Sequence, residues 1–208
     1  MSVAEQKSPR SARKPKGEGH VRRGEILEAG ERIFVEYGYE GATIRRIAEE
    51  VGVSSTALYM HFKDKSEILL EICQRVFDRM LKDQKELAKG LDTPEARVRQ
   101  LLKSYMEFGL ANPNAYRLVF CTRPREASEG AEKVAMRLGK ELFDGFAAHV
   151  ADMAAAGRLR GEPVAAAQAL WAGAHGVISL VITKPYFDWA PTLETDMLDA
   201  LFEGALVR

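Results

Sequence analysis

Apolar positions recur every three to four residues along almost the whole chain. No stretch of strict alternation and no hairpin dipeptide interrupts them, so the sequence predicts an all-α protein of about nine helices. Ile26, Leu27, Ile33, Phe34 and Tyr37 form one stripe on a first helix closed by Gly38. Thr43 is placed to cap a second helix and Ser54 a third. A fourth opens at Lys65-Ser66 and carries Ile68, Leu69, Ile72, Val76, Phe77 and Met80. It runs to about Lys89, long enough to join two domains. Pro94 starts a fifth, with Val98, Leu101, Leu102, Tyr105 and Phe108 along one side, and Asn112-Pro113 ends it. A short helix through Tyr116, Val119 and Phe120 follows, then a long amphipathic helix over residues 130–156. Pro163 opens a helix stopped by Lys184-Pro185, and Leu193, Met197, Leu198, Leu201, Phe202 and Leu206 mark the last.

Within residues 43–65, TIRRIAEEVGVSSTALYMHFKDK, Ala48 and Gly52 stand four apart and Leu58 follows six later. A helix-turn-helix needs that spacing. A small side chain lets the second helix approach, a glycine makes the left-handed turn, and an apolar residue pins the second helix to the first. The N-terminal half of that second helix faces base edges in a major groove. Here it offers Ser54, Ser55, Thr56 and Ala57: hydroxyls, plus a methyl suited to thymine. The helix holds no Arg or Asn for a bidentate base contact, which makes Arg45 or Arg46 in the preceding helix the candidates to supply one. Tyr59, His61, Lys63 and Lys65 lie at the far end, where donors meet phosphates rather than bases. Core packing is the competing role for Tyr59 and the expected one for Phe62.

The 208 residues suffice for one or two small domains, and 46% apolar with 29% charged residues is ordinary for a globular chain. Thirty basic and thirty acidic residues balance, yet residues 1–24 hold seven basic groups against two acidic ones, leaving the remainder with a net charge of −5. A neutral total argues against nucleic acid; a basic arm beside a reading motif removes the objection. Residues 1–19 are poor in large apolar side chains and are expected to be disordered when free. Arg10, Arg13, Lys14 and Lys16 there either lie along phosphates or an A·T-rich minor groove, or form a solvated tail. The expected organisation is an arm (1–19), a helix-turn-helix domain (20–65) and an effector-binding and dimerisation domain (66–208). Cys73 and Cys121 have neither a CxxC partner nor a histidine at metal spacing, so two reduced core thiols and no metal site are expected. The N-terminus has no apolar signal region, and the longest apolar run, about residues 169–182, is short for a bilayer. A cytosolic protein without membrane contact is expected. Ser179 and His175 are one turn apart without a carboxylate partner, and no phosphate loop or HExxH occurs. The chain is therefore not expected to be an enzyme or to carry a cofactor.

The span from Arg23 to Leu70 resembles the N-terminal domain of the TetR family of bacterial one-component regulators. The resemblance rests on Ile26, Ala29, Phe34, Gly38, Thr43, Ile47-Ala48, Gly52-Val53-Ser54, Leu58-Tyr59, His61-Phe62, Lys65 and Ile68-Leu69. It implies that Thr43, Tyr59, His61 and Lys65 contact phosphates and that residues 54–57 face bases. Thr56 stands where many relatives carry a smaller residue, often glycine. Trp171, His175 and Gly176, with Tyr116-Arg117-Leu118-Val119-Phe120 after Asn112-Pro113, resemble the Trp-His-Gly type of C-terminal domain of one TetR subgroup. The family implies a homodimer on a pseudo-palindromic double-stranded DNA operator. The last two helices are the expected dimer surface, with Ala166, Ala169, Ala172, Gly173 and Gly176 allowing close approach; intrachain core is the other reading. Tyr105, Phe108, Tyr116, Phe120, Phe143, Phe146, Trp171 and His175 are candidate lining for a pocket that takes a small, moderately apolar, uncharged effector. Core packing competes for each, and for His175 a buried helix–helix hydrogen bond. The expected function is a homodimeric repressor released from DNA by its ligand. The alternative is a DNA-binding regulator without a small-molecule effector, governed by a protein partner or acting constitutively.

Overall fold

A computed structural model of the chain describes residues 19–121 and 129–206; the basic arm with Arg10, Arg13, Lys14 and Lys16 lies outside them. Among the described residues nine α-helices and one π-helical turn form, with no strand beyond a single antiparallel bridge between Leu159 and Leu206. The helical periodicity of the sequence is thus what the chain adopts. Two compact units meet between Glu71 and Ile72, inside the long fourth helix rather than at its start.

The first unit holds α1 (Gly19–Gly41), α2 (Ile44–Val51), α3 (Ser55–Tyr59) and the opening turns of α4 (Lys65–Leu87). Gly38, with φ of 67°, breaks the helical path of α1 where the sequence placed its end, although hydrogen bonding resumes to Gly41. Both expected caps form: Thr43 accepts from the Arg46 amide at 3.2 Å, and Ser54 from the Ala57 amide at 3.1 Å. Gly52, at φ 75°, ends α2 in the left-handed conformation, and the next amide, of Val53, reaches back to the Ala48 carbonyl at 2.9 Å. Ile26, Ala29, Phe34, Ile47, Leu58 and Phe62 are buried together with Ile68 of α4.

The second unit packs α5 (Pro94–Ala111) against α7 (Glu129–Ala155), α8 (Pro163–Thr183) and α9 (Leu193–Ala205). Between α5 and α7 come α6 (Pro113–Tyr116) and the π-helical turn Arg117–Cys121, where the sequence predicted one short helix. The wider turn leaves Cys121 exposed, which corrects the expectation of a second core thiol; Cys73 is buried, and desolvation pushes its thiol up to about 11. Arg117 donates from this turn to the Ile182 carbonyl at the end of α8. Gly173 lets α8 approach α9 within the chain, since a Cβ there would meet Leu201 Cδ1 at 2.5 Å. Helix α8 is longer than the apolar run suggested and, by length and composition alone, could cross a membrane; its buried side packs on α5, α7 and α9. Only 28% of its most apolar stretch is buried, so an apolar face with Val164, Ala169, Ala172 and Leu180 stands open.

Helices α5 and α8 cross at Gly109, where a Cβ would lie 2.6 Å from Ile178 Cγ2 and 3.0 Å from the Tyr116 ring. Gly109→Ala should therefore cost about 1–3 kcal/mol through overpacking. Gly139→Ala on α7, whose Cβ would meet Phe77 at an ordinary 3.6 Å, should be neutral or stabilising by up to about 1 kcal/mol through helix propensity. Urea denaturation of the two variants measures the contrast.

Candidate functional site

The reading motif is presented by helix ends rather than by helix length. The Thr43 and Ser54 oxygens accept the cap bonds of α2 and α3, so each hydroxyl proton stays available to an incoming acceptor. Thr43, Ser54, Thr56 and Ala57 are exposed and Ser55 is half-buried. Tyr59 is 56% exposed, which settles its packing role against the core and leaves the ring accessible. Met60, not singled out by the sequence, is 83% exposed beside it.

The two candidate arginines differ. Arg45 points outward and pairs with Glu49 one turn on at 2.8 Å. Arg46 lays its guanidinium 4.2 Å from the centre of the Tyr37 ring, which restrains it. Lys63 is exposed, with its backbone amide held by Glu67 at 2.7 Å. Lys65 is largely engaged already. Its ammonium donates to the Tyr39 carbonyl at 2.6 Å and the Glu40 carbonyl at 3.4 Å, closing the end of α1, and lies over the Tyr39 ring.

Sequence reasoning missed Arg23. From α1 it donates through Nε to Glu71 Oε2 at 2.8 Å and through its terminal nitrogens to Glu71 and to the His61 carbonyl. Its guanidinium also lies 4.0 Å from the centre of the Phe62 ring. This fork ties the residues that follow α3 to both α1 and α4. Arg23 was counted as part of the basic arm's charge, and only the fold brings its partners within reach.

In the second unit a cavity of about 200 Å³ opens between α4, α5, α7 and α8. Tyr105, Phe108, Phe120, Phe143, Phe146 and Trp171 line it, six of the eight residues proposed from the sequence. Tyr116 and His175 sit behind that wall. The Tyr105 and Tyr116 hydroxyls are 2.9 Å apart, and Tyr116 bonds to His175 Nδ1. Burial pushes the Tyr105 phenol up to about 12, raises that of Tyr116 further, and lowers the His175 imidazole. The cluster is neutral at physiological pH. Helix α4 supplies wall residues that the stripe on the middle helices did not include: Met80, Leu87 and the polar pair Asp83 and Gln84. Asp83 adds a carboxylate to this otherwise mainly apolar and aromatic wall. No cluster of three metal-ligating side chains occurs among the described residues.

Residues 26–72 match the profile of the bacterial regulatory proteins of the tetR family, and residues 98–207 match the tetracyclin repressor-like C-terminal domain. The chain belongs to the tetR family. It is 32% identical over 147 residues to the HTH-type transcriptional activator FasR of Mycolicibacterium smegmatis, covering 65% of this chain and 66% of that one. It is 48% identical over 60 residues to the HTH-type transcriptional repressor AcnR of Corynebacterium diphtheriae, covering 29% of this chain and 32% of the relative. These matches thus span just under two thirds and about one third of the relatives' own lengths. The ketosteroid transcriptional regulator KstR2 of Mycobacterium tuberculosis shares the fold, with a TM-score of 0.73 at 19% identity over 90% of this chain and 96% of that one. Family and relatives are those of a transcriptional regulator rather than an enzyme.

The His175 cluster carries a pH signature. Its imidazole titrates below the ordinary 6.5, so as pH falls below about 6.5 the unfolded chain takes up the proton first and the folded form loses stability. Stability from this group is complete above that pH. Urea titrations between about pH 7 and pH 5 should show a steeper loss in the wild type than in His175→Gln.

Proposed function

We propose that the chain is a sequence-specific, DNA-binding transcriptional repressor that acts as a homodimer and leaves its operator when a small ligand fills the α4–α8 cavity. The observation that carries the reading is the α2–Gly52–α3 corner. A left-handed glycine joins two capped helices, and Ser54, Thr56, Ala57 and Tyr59 remain accessible beyond it. Residues 54–57 then face base edges, while Thr43, Tyr59, His61, Lys63 and the remaining N–H of Lys65 meet phosphates. Arg45 is the freer of the two candidate base readers, because its pair with Glu49 is solvent-exposed and weak.

Dimerisation follows from the open apolar face of α8, extended by the half-buried Met197 and Leu201 of α9. Two such chains place two recognition helices on a pseudo-palindrome, which one five-residue helix cannot do alone. The effector reading is favoured over regulation by a protein partner by the partly open cavity among Phe108, Phe120, Phe146 and Trp171, where a solid core would leave no space. Helix α4 belongs to both units, carrying Lys65 at one end and Asp83 in the cavity wall near the other. A ligand that favours one tilt of α4 changes the separation of the recognition helices and with it half-site register.

Gel shift and footprinting on DNA from the gene's own upstream region test this. The expected footprint is a pseudo-palindrome with half-sites about 34–36 Å apart. Leu180→Asp, on the open face of α8, should yield monomers and abolish the discrete shift. A footprint with one half-site, unchanged by Leu180→Asp, would contradict the dimer, and tighter binding with ligand would reverse the sign to activation.

A further inference from the structure

Among the described residues Asp83 is the one ionic group in the wall of the cavity, beside side chains that are otherwise mainly aliphatic and aromatic. We propose, building on the reading of this cavity as the effector site, that it takes an amphiphile with a positively charged, hydrogen-bond-donating head, an arylalkyl- or alkylamine, and not a carboxylic acid.

The polar atoms of the wall point to that class. Among the described residues no lysine, arginine or histidine lines the cavity. Behind the aromatic wall the Tyr105 and Tyr116 hydroxyls share a hydrogen bond at 2.9 Å, and Tyr116 also bonds to Nδ1 of the neutral His175. These three groups are occupied with one another and bring no charge to the cavity. Gln84 turns its amide nitrogen to the Leu142 carbonyl at 3.2 Å and holds Oε1 against Gly145. The Ser104 hydroxyl serves either way. With Asp83 at the rim, a ligand gains most by bringing donors and positive charge.

A carboxylate head would meet the Asp83 anion and lose its hydration with no cation among the described lining residues to replace it. The cation paired with Asp83, Arg79, is 63% exposed, outside the lining, and 3.8 Å from it one helical turn away. Such a pair contributes only a few tenths of a kcal/mol, so an ammonium entering at the rim displaces Arg79 from Asp83 at little cost. The Arg79 guanidinium lies 5.6 Å from the centre of the Phe108 ring, where it can stay when released. The volume of about 200 Å³ limits the occupant to something on the order of ten non-hydrogen atoms, at roughly 30 Å³ for each water-sized group and less for bonded carbons.

Isothermal titration of the full chain with 4-phenylbutylamine, 4-phenylbutanol and 4-phenylbutyrate, which share one carbon skeleton, tests the proposal near neutral pH. The amine should bind at least about tenfold more tightly than the acid, with the alcohol between them, a gap of about 1.4 kcal/mol. Asp83→Asn should bring the amine down to the alcohol while leaving the alcohol unchanged, and thermal melts of the variant check its fold. Equal or tighter binding of the acid, or an amine preference that survives Asp83→Asn, overturns the ligand class and leaves the cavity as a ligand site. Failure of all three compounds to bind overturns the effector reading of the cavity itself.

Discussion

A helix of five residues cannot hold itself. Nucleating one turn costs more than its few hydrogen bonds return, so α3, from Ser55 to Tyr59, exists only because its surroundings place it. Leu58 is fully buried against the first unit's core, Phe62 just beyond it is 1% exposed, and Gly52 aims the chain into α3 through a conformation that only glycine adopts without strain. Arg23 completes the anchorage by fixing the His61 carbonyl and lying over Phe62. Every side chain offered to DNA borrows its position from these buried or half-buried groups. The reading surface can therefore be made of small hydroxyls, since precision resides in the anchors beneath it.

The second unit follows a different economy of contacts. Close helix approach at Gly109 and Gly173 makes most of the core dense, while the aromatic wall between α4 and α8 leaves space. The polar groups behind that wall satisfy one another: the phenols of Tyr105 and Tyr116 and the His175 imidazole remain neutral because burial opposes each charged form. A neutral network of this kind brings no charge of its own to the cavity beside it. Among the described lining residues Asp83 on α4 adds the one charge, on the helix that both units share.

Much of this was legible in the residues. Periodicity and cap signals located the helices because each cap uses a side chain that bonds its own local backbone, as Thr43 and Ser54 do. The alanine–glycine–leucine spacing exposed the corner between α2 and α3 for the same reason. What stayed hidden depends on partners distant in sequence. Arg23 meets Glu71 across 48 residues, and nothing local marks it apart from Arg22. Asp83 sits on a charged stretch of α4 that reads as a solvated face until α5 and α7 fold over it. Cys121 reads as a core thiol until the π-helical turn rotates it outward. Six aromatic positions were found as lining because a pocket and a core draw on the same apolar stripe; that Tyr116 and His175 lie behind the wall is a matter of depth, which periodicity does not encode.

Amide hydrogen exchange of the free protein addresses the anchorage of α3 most directly. The amides of Leu58, His61 and Phe62 bond to carbonyls of Ser54 and Leu58 at 2.9–3.1 Å. If buried anchors hold α3 in place before DNA arrives, these amides exchange only when the whole first unit opens, with the same opening free energy as Ile47 and Ile68. Arg23→Lys, which keeps the charge but loses the planar fork, then lowers all of them together by about 1–3 kcal/mol. Exchange of the α3 amides at loop-like rates, independent of the first unit's core and insensitive to Arg23→Lys, would contradict the account.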